Sequence, residues 1–162
     1  MLSNDEIEKV RREYTAPFYL KFRRDGLSLA PKIVELAHAA SEAQVLFMLE
    51  TEEWRSRKMG ALFALARKAP SIHKAVLRSL ETSQGTLTAP ELSSAAIVLH
   101  GNEALPSLVM YESNAIARNL GGFDITAAAI HHLGGEPMAG DAEAGGESFG
   151  RLLRMGTFIH ES

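Results

Sequence analysis

Residues 59–66 read Met59-Gly60-Ala61-Leu62-Phe63-Ala64-Leu65-Ala66. A helix over this stretch is apolar on every side, and such a helix must be covered on more than one face. Its pattern returns at a fixed interval. Ala61 and Leu65 recur as Ala95 and Leu99 and again as Ala129 and Leu133, each step 34 residues long. A regular period of about 20–50 residues marks stacked helical repeats. The expected fold is therefore all-α, with antiparallel helix pairs stacked as an α-solenoid or packed as an irregular helical bundle. Repeats of this kind build surfaces for binding more often than pockets for chemistry.

The flanking sequence supplies the helix ends. Thr51-Glu52-Glu53 precedes the central helix and places acids at its positive end, while Arg67 and Lys68 suit its negative end, so the helix is expected to run to about Lys68. Pro70 stops it and opens an amphipathic helix carrying Ile72, Val76, Leu77 and Leu80. Before it, Glu42 to Glu50 reads as a short apolar helix. Ser3 and Glu6 have capping-box spacing for a first helix. Ala16-Pro17 breaks or restarts that helix. Phe18, Tyr19 and Phe22 form an aromatic group beside Lys21, Arg23 and Arg24, which Gly26 is expected to end, with Ser28 capping a new helix.

Beyond Thr82–Thr88, a loop, Thr88 and Glu91 again have capping-box spacing for a helix over 90–100. Residues 105–118 fit a helix, although Leu108-Val109-Met110-Tyr111 also reads as a strand, and the helical neighbours decide for helix. Asp124 is expected to cap a helix over 125–133. The glycine-rich stretch 134–147 predicts a mobile loop. Phe149, Leu152, Leu153 and Ile159 mark a last amphipathic helix closing the end of the stack.

Bulk properties narrow the class. A chain of 162 residues with 46% hydrophobic residues suits a single domain over 1–162. The formal net charge of −3, with both signs mixed, argues against a nucleic-acid binder. There is no cysteine, which removes disulfides and thiolate metal sites. The charged N-terminus and the lack of a long apolar run predict neither a leader nor a membrane span, and point to the cytoplasm.

No phosphate loop, nucleophile elbow or His-Glu-x-x-His motif is present, so no catalytic residue, cofactor or metal is expected. His131-His132 is the nearest approach to a metal site, with Asp124 and Asp141 as nearby acids. Adjacent helical residues point about 100° apart and cannot easily share one ion. The binding residues expected from the sequence fall in two groups. Trp54, Arg55 and Arg57 lie in the densest basic segment, where an arginine at the start of a second helix can also reach the next repeat. Tyr111, Glu112, Asn114 and Arg118 place polar groups in an apolar region, where they must bond or face a partner.

The segment 42–80 resembles a HEAT-like repeat through its short apolar helix, acidic turn, Trp-Arg helix start and alanine-leucine core, and the similarity extends to 133. Tyr14-Thr15-Ala16-Pro17-Phe18-Tyr19-Leu20 resembles the opening of small bacterial helical proteins, some of which are immunity proteins. That resemblance implies a protein-binding module whose partner is another protein, a toxin. The alternatives are a small metal-dependent hydrolase using His131 and His132, or a regulatory adaptor subunit.

Overall fold

The computed structural model describes residues 2–162, apart from the side chains of residues 22–25. Every regular element among them is helical. The order is α1 (Asn4–Lys9), a π-helical turn (Val10–Thr15), α2 (Phe22–Ala39), α3 (Glu42–Glu50), α4 (Trp54–Leu65), α5 (Pro70–Glu81), α6 (Ala89–His100), a 3-10 turn (Gly101–Ala104), α7 (Leu105–Ala117), α8 (Asp124–His132) and α9 (Ala142–Glu161). No helix of the described residues is long and apolar enough to cross a membrane.

The helices form two stacked layers. α3 pairs with α4, α5 with α6, and α7 with α8. Within one layer α3 packs on α5 and α5 on α7; within the other, α4 packs on α6 and α6 on α8. The 34-residue echo runs along the second layer. Ala61, Ala95 and Ala129 are each fully buried there, and a side chain that small lets neighbouring helices approach closely. α9 then lies across this inner layer, touching α8, α6, α4 and also α2. Hence α4 is covered from all sides, and residues 56–65 are all buried.

Several ends differ from the sequence reading. α2 passes straight through Gly26 and carries Pro31 inside it. A β-carbon at Gly26 would lie 3.1 Å from Met155 Sδ, so this glycine makes room for α9 instead of stopping a helix. The Phe22, Arg23 and Arg24 side chains of the expected aromatic-basic group lie outside the described ones. α4 ends at Leu65, three residues short of Lys68. Residues 142–147, read as loop, open α9, with Asp141 accepting hydrogen bonds from the amides of Glu143 and Ala144. Gly145 lies so close to the α8 start that a β-carbon would collide with the Asp124 carbonyl. That close approach accounts for glycine there, where sequence alone suggested flexibility. α9 therefore braces the inner layer along its length and does more than close one end.

Residues 105–117 are helical, with Pro106 in the first turn and Leu108, Tyr111, Glu112 and Ala115 on the buried side. Three expected caps are absent, since Ser28 lies inside α2 and neither Thr88 nor Asp124 caps its helix. Glu91 pairs instead with Lys58, and Asp124 accepts from the Asp141 amide.

Basic side chains finish several helix ends. Arg67 donates to the carbonyls of Ala37 (2.9 Å) and Ala40 (2.7 Å) at the end of α2. His160 Nδ1 meets the Leu65 carbonyl at 3.0 Å, and His73 Nε2 meets that of Arg67 at 2.6 Å. A carbonyl only accepts, so each ring nitrogen carries the proton. The donors at Ala37, Ala40 and Leu65 satisfy carbonyls that a helix leaves unpaired at its negative end, and the one at Arg67 ties down the turn between α4 and α5.

Candidate functional site: an aromatic cleft over a buried ion pair

Three segments meet at the start of α4. Glu53 caps the helix, accepting from the amides of Arg55 (3.1 Å) and Ser56 (2.7 Å). Partial burial pushes the Glu53 carboxyl up, but the hydrogen bonds from Ser56 and Arg55 together outweigh it and leave it below the usual carboxylate range. The turn before α2 is stapled to α4 from the other side. Thr15 Oγ1 and Ser56 Oγ share a buried hydrogen bond of 3.2 Å, and the Tyr14 ring packs on Phe63 at 5.5 Å between centroids. These contacts hold Tyr19 and Leu20 over Trp54.

Tyr19 and Trp54 meet edge to face at 5.5 Å. The Arg55 guanidinium lies 4.5 Å from the Trp54 ring centre and 5.2 Å from that of Tyr19. Bonds to Tyr19 first, and to Glu53, raise its already high pKa, so it stays a cation. An arginine over two aromatic rings is a cation–π arrangement. Tyr19, Leu20, Trp54, Lys58 and Leu87 enclose a half-open cleft of about 160 Å³. Its lips are apolar and open to solvent, Leu20 being 71% and Leu87 49% exposed.

At its floor lies a buried ion pair. Lys58 Nζ is 2.8 Å from Glu91 Oε1, with the two side chains 5% and 4% exposed. Lys58 comes from α4 and Glu91 from the first turn of α6, so the pair locks two neighbours of the inner layer beneath the cleft. Sequence reasoning missed both residues. Lys58 belongs to the same basic run as Arg55 and Arg57, with nothing local to mark it as buried, and Glu91 fitted a capping box.

The seven expected binding residues divide. Trp54 and Arg55 form the cleft rim. Arg57, one position before Lys58, points away from it. Its guanidinium donates to the carbonyls of Thr51 (2.9 Å) and Thr82 (3.2 Å), joining the ends of α3 and α5. Burial lowers its pKa, and Glu52 opposes that shift. Tyr111 and Glu112 are buried on α7 and withdrawn from any partner. Burial raises the Tyr111 pKa. The Glu112 carboxylate accepts the amides of Met138 (2.9 Å) and Ala139 (3.0 Å), pinning the loop before α9. Asn114 donates to the Glu81 carbonyl at 3.4 Å, and Arg118 is exposed. None of these α7 residues lines the cleft.

His131 and His132 are exposed at the end of α8, and the His132 ring meets Phe149 at 5.4 Å. Asp124 accepts from the Asp141 amide at 2.9 Å, and Asp141 caps α9. Among the described residues no three His, Cys, Asp or Glu side chains converge as a metal site. Compared with protein-family models, curated proteins and solved structures, the chain matches none.

Proposed function

We propose that this chain is a protein-binding module, an immunity protein that blocks a cognate toxin in the cytoplasm by direct contact through the Tyr19–Trp54 cleft. The observation that supports this reading is the cleft's composition. Tyrosine, tryptophan and arginine dominate binding energy at protein interfaces. Here they surround two exposed leucines on a floor held rigid by a buried ion pair. An apolar side chain of the partner would enter between Trp54 and Leu87, with Arg55 at the rim.

Trp54 is the single tryptophan of the chain, so its fluorescence reports on this site alone. The test is titration with the toxin domain encoded beside its gene, followed by fluorescence and calorimetry. We expect a Trp54 spectral shift on binding. Trp54→Ala and Leu87→Asp should each weaken binding by at least about tenfold, or ~1.4 kcal/mol, and exposed Leu87→Asp should do so with an unchanged melting curve. Tight binding without a spectral shift would move the contact elsewhere. No binding, together with no protection of cells expressing the toxin, would remove the reading. Capture of a housekeeping complex through the same cleft would favour an adaptor subunit.

A further inference from the structure

The Tyr19–Trp54 cleft is small, and its base differs in chemistry from its walls. Its volume of about 160 Å³ falls well below the roughly 300–1,000 Å³ of a site for a drug-sized molecule or cofactor. A cavity of that order takes one aromatic ring. The walls suit a ring. Tyr19 and Trp54 already meet edge to face at 5.5 Å, and Leu20 and Leu87 complete an apolar rim open to solvent.

The base is polar. Lys58 lines the cleft with a side chain 5% exposed. Its ammonium carries three N–H donors, and among the described residues Glu91 Oε1, at 2.8 Å, is its one polar partner. Donors therefore remain for whatever fills the cleft. An occupant that displaces solvent from them without supplying an acceptor forfeits those bonds and is held more weakly. Charge narrows the choice further. A carboxylate tip would meet Glu91 as well as Lys58, and would lose its own hydration. A cationic tip would meet Lys58 at the base and Arg55 at the rim. What fits is a neutral ring with an oxygen at its far end. Among side chains that is tyrosine, since phenylalanine and leucine lack the oxygen and the indole N–H of tryptophan only donates.

We infer that the side chain taken up by the cleft is a tyrosine of the protein partner, its ring between Trp54 and Leu87 and its phenol oxygen accepting a hydrogen bond from Lys58 Nζ. This rests on the reading of the cleft as the contact surface and adds the chemistry that the surface selects. The buried pair thereby gains a second role. Besides joining α4 to α6, it holds an ammonium where it tells tyrosine from phenylalanine. A site built to bond a hydroxyl rejects the analogue lacking it far more strongly than an apolar pocket rejects one extra group.

Two small probes test this on the free protein: p-cresol, the side chain of tyrosine, and toluene, that of phenylalanine. Each is titrated into the isotope-labelled chain, with NMR following the Trp54 indole and the amides of Lys58 and Leu87. We expect p-cresol to bind with a Kd on the order of 1 mM and toluene at least about tenfold more weakly. In the double variant Lys58→Met, Glu91→Leu, whose base is apolar, the order should reverse. Equal binding of the two probes by the parent would overturn the inference, as would tighter binding of toluene or no binding of p-cresol. A preference for p-cresol that survives in the double variant would also overturn it. These outcomes are separate from the toxin titration. A Trp54 shift on toxin binding beside any of them would keep the cleft as the contact surface and strike only the tyrosine. The expected p-cresol selectivity without toxin binding would strike the toxin and keep a tyrosine-selective cleft.

Discussion

Lys58 and Glu91 show what a single pair does in this molecule. Two charges taken out of water are costly, and their mutual attraction offsets that only while both are present. Glu91→Gln leaves Lys58 buried beside a neutral partner. It should lower stability by about 3–5 kcal/mol in a urea titration, whereas Lys58→Met with Glu91→Leu should be far less damaging than the single change. A single variant as stable as the parent would mean that water reaches the lysine. Glu53 gives the pH counterpart. Its folded pKa is below its unfolded value, so its contribution is present above the ordinary carboxylate range and is lost as pH falls through the folded pKa. The stability gap between the parent and Glu53→Gln should therefore narrow as pH falls through and below the ordinary carboxylate range. A gap constant with pH would mean that Glu53 acts only through its shape.

Among the elements, α4 was the most legible from sequence, because an all-apolar helix has no choice but the interior. Leu65, 1% exposed, bears that position out. Leu65→Asp would place an unpaired charge there, costing several kcal/mol against a total of roughly 5–15, and the variant should show no cooperative melting transition. Gly26 and Gly145 were illegible for one shared reason. They sit where α9 passes over α2 and α8, and a close approach between distant segments leaves no local signal. Gly60 is similar, since a β-carbon there would lie 3.0 Å from the Leu49 amide nitrogen where α3 crosses α4. Gly60→Ala and Gly145→Ala should each lower the melting temperature, although alanine is the better helix former. Stabilisation by either would show that these crossings have room for a methyl group. The cleft was half legible. Trp54 and Arg55 announced themselves by type, whereas Tyr19, Lys58, Leu87 and Glu91 reach it only through the stacking of α4 on α6 and the stapling of the 10–21 segment. On α7 the sequence left the polar groups two options, a hydrogen bond or a partner, and Glu112 takes the first, accepting from the loop amides of Met138 and Ala139, a choice set by the distant segment that folds over it.

For the whole molecule, the arrangement divides labour between its faces. In an open stack of helix pairs the inner layer lines a groove. Here α9 lies over that layer, and exposed apolar side chains remain at the edges, Leu20 and Leu87 at the Tyr19–Trp54 cleft and Val109, Met110 and Ile116 along α7. The central claim is the burial of α4 and α6 between the outer layer and α9, and amide hydrogen exchange measured along the whole chain tests it most directly. The account predicts that amides of residues 58–65 and 92–97 exchange slowest, at the rate of global unfolding, with those of α1 and α7's outer turns far faster. Exchange in α4 and α6 as fast as in α7 would contradict it.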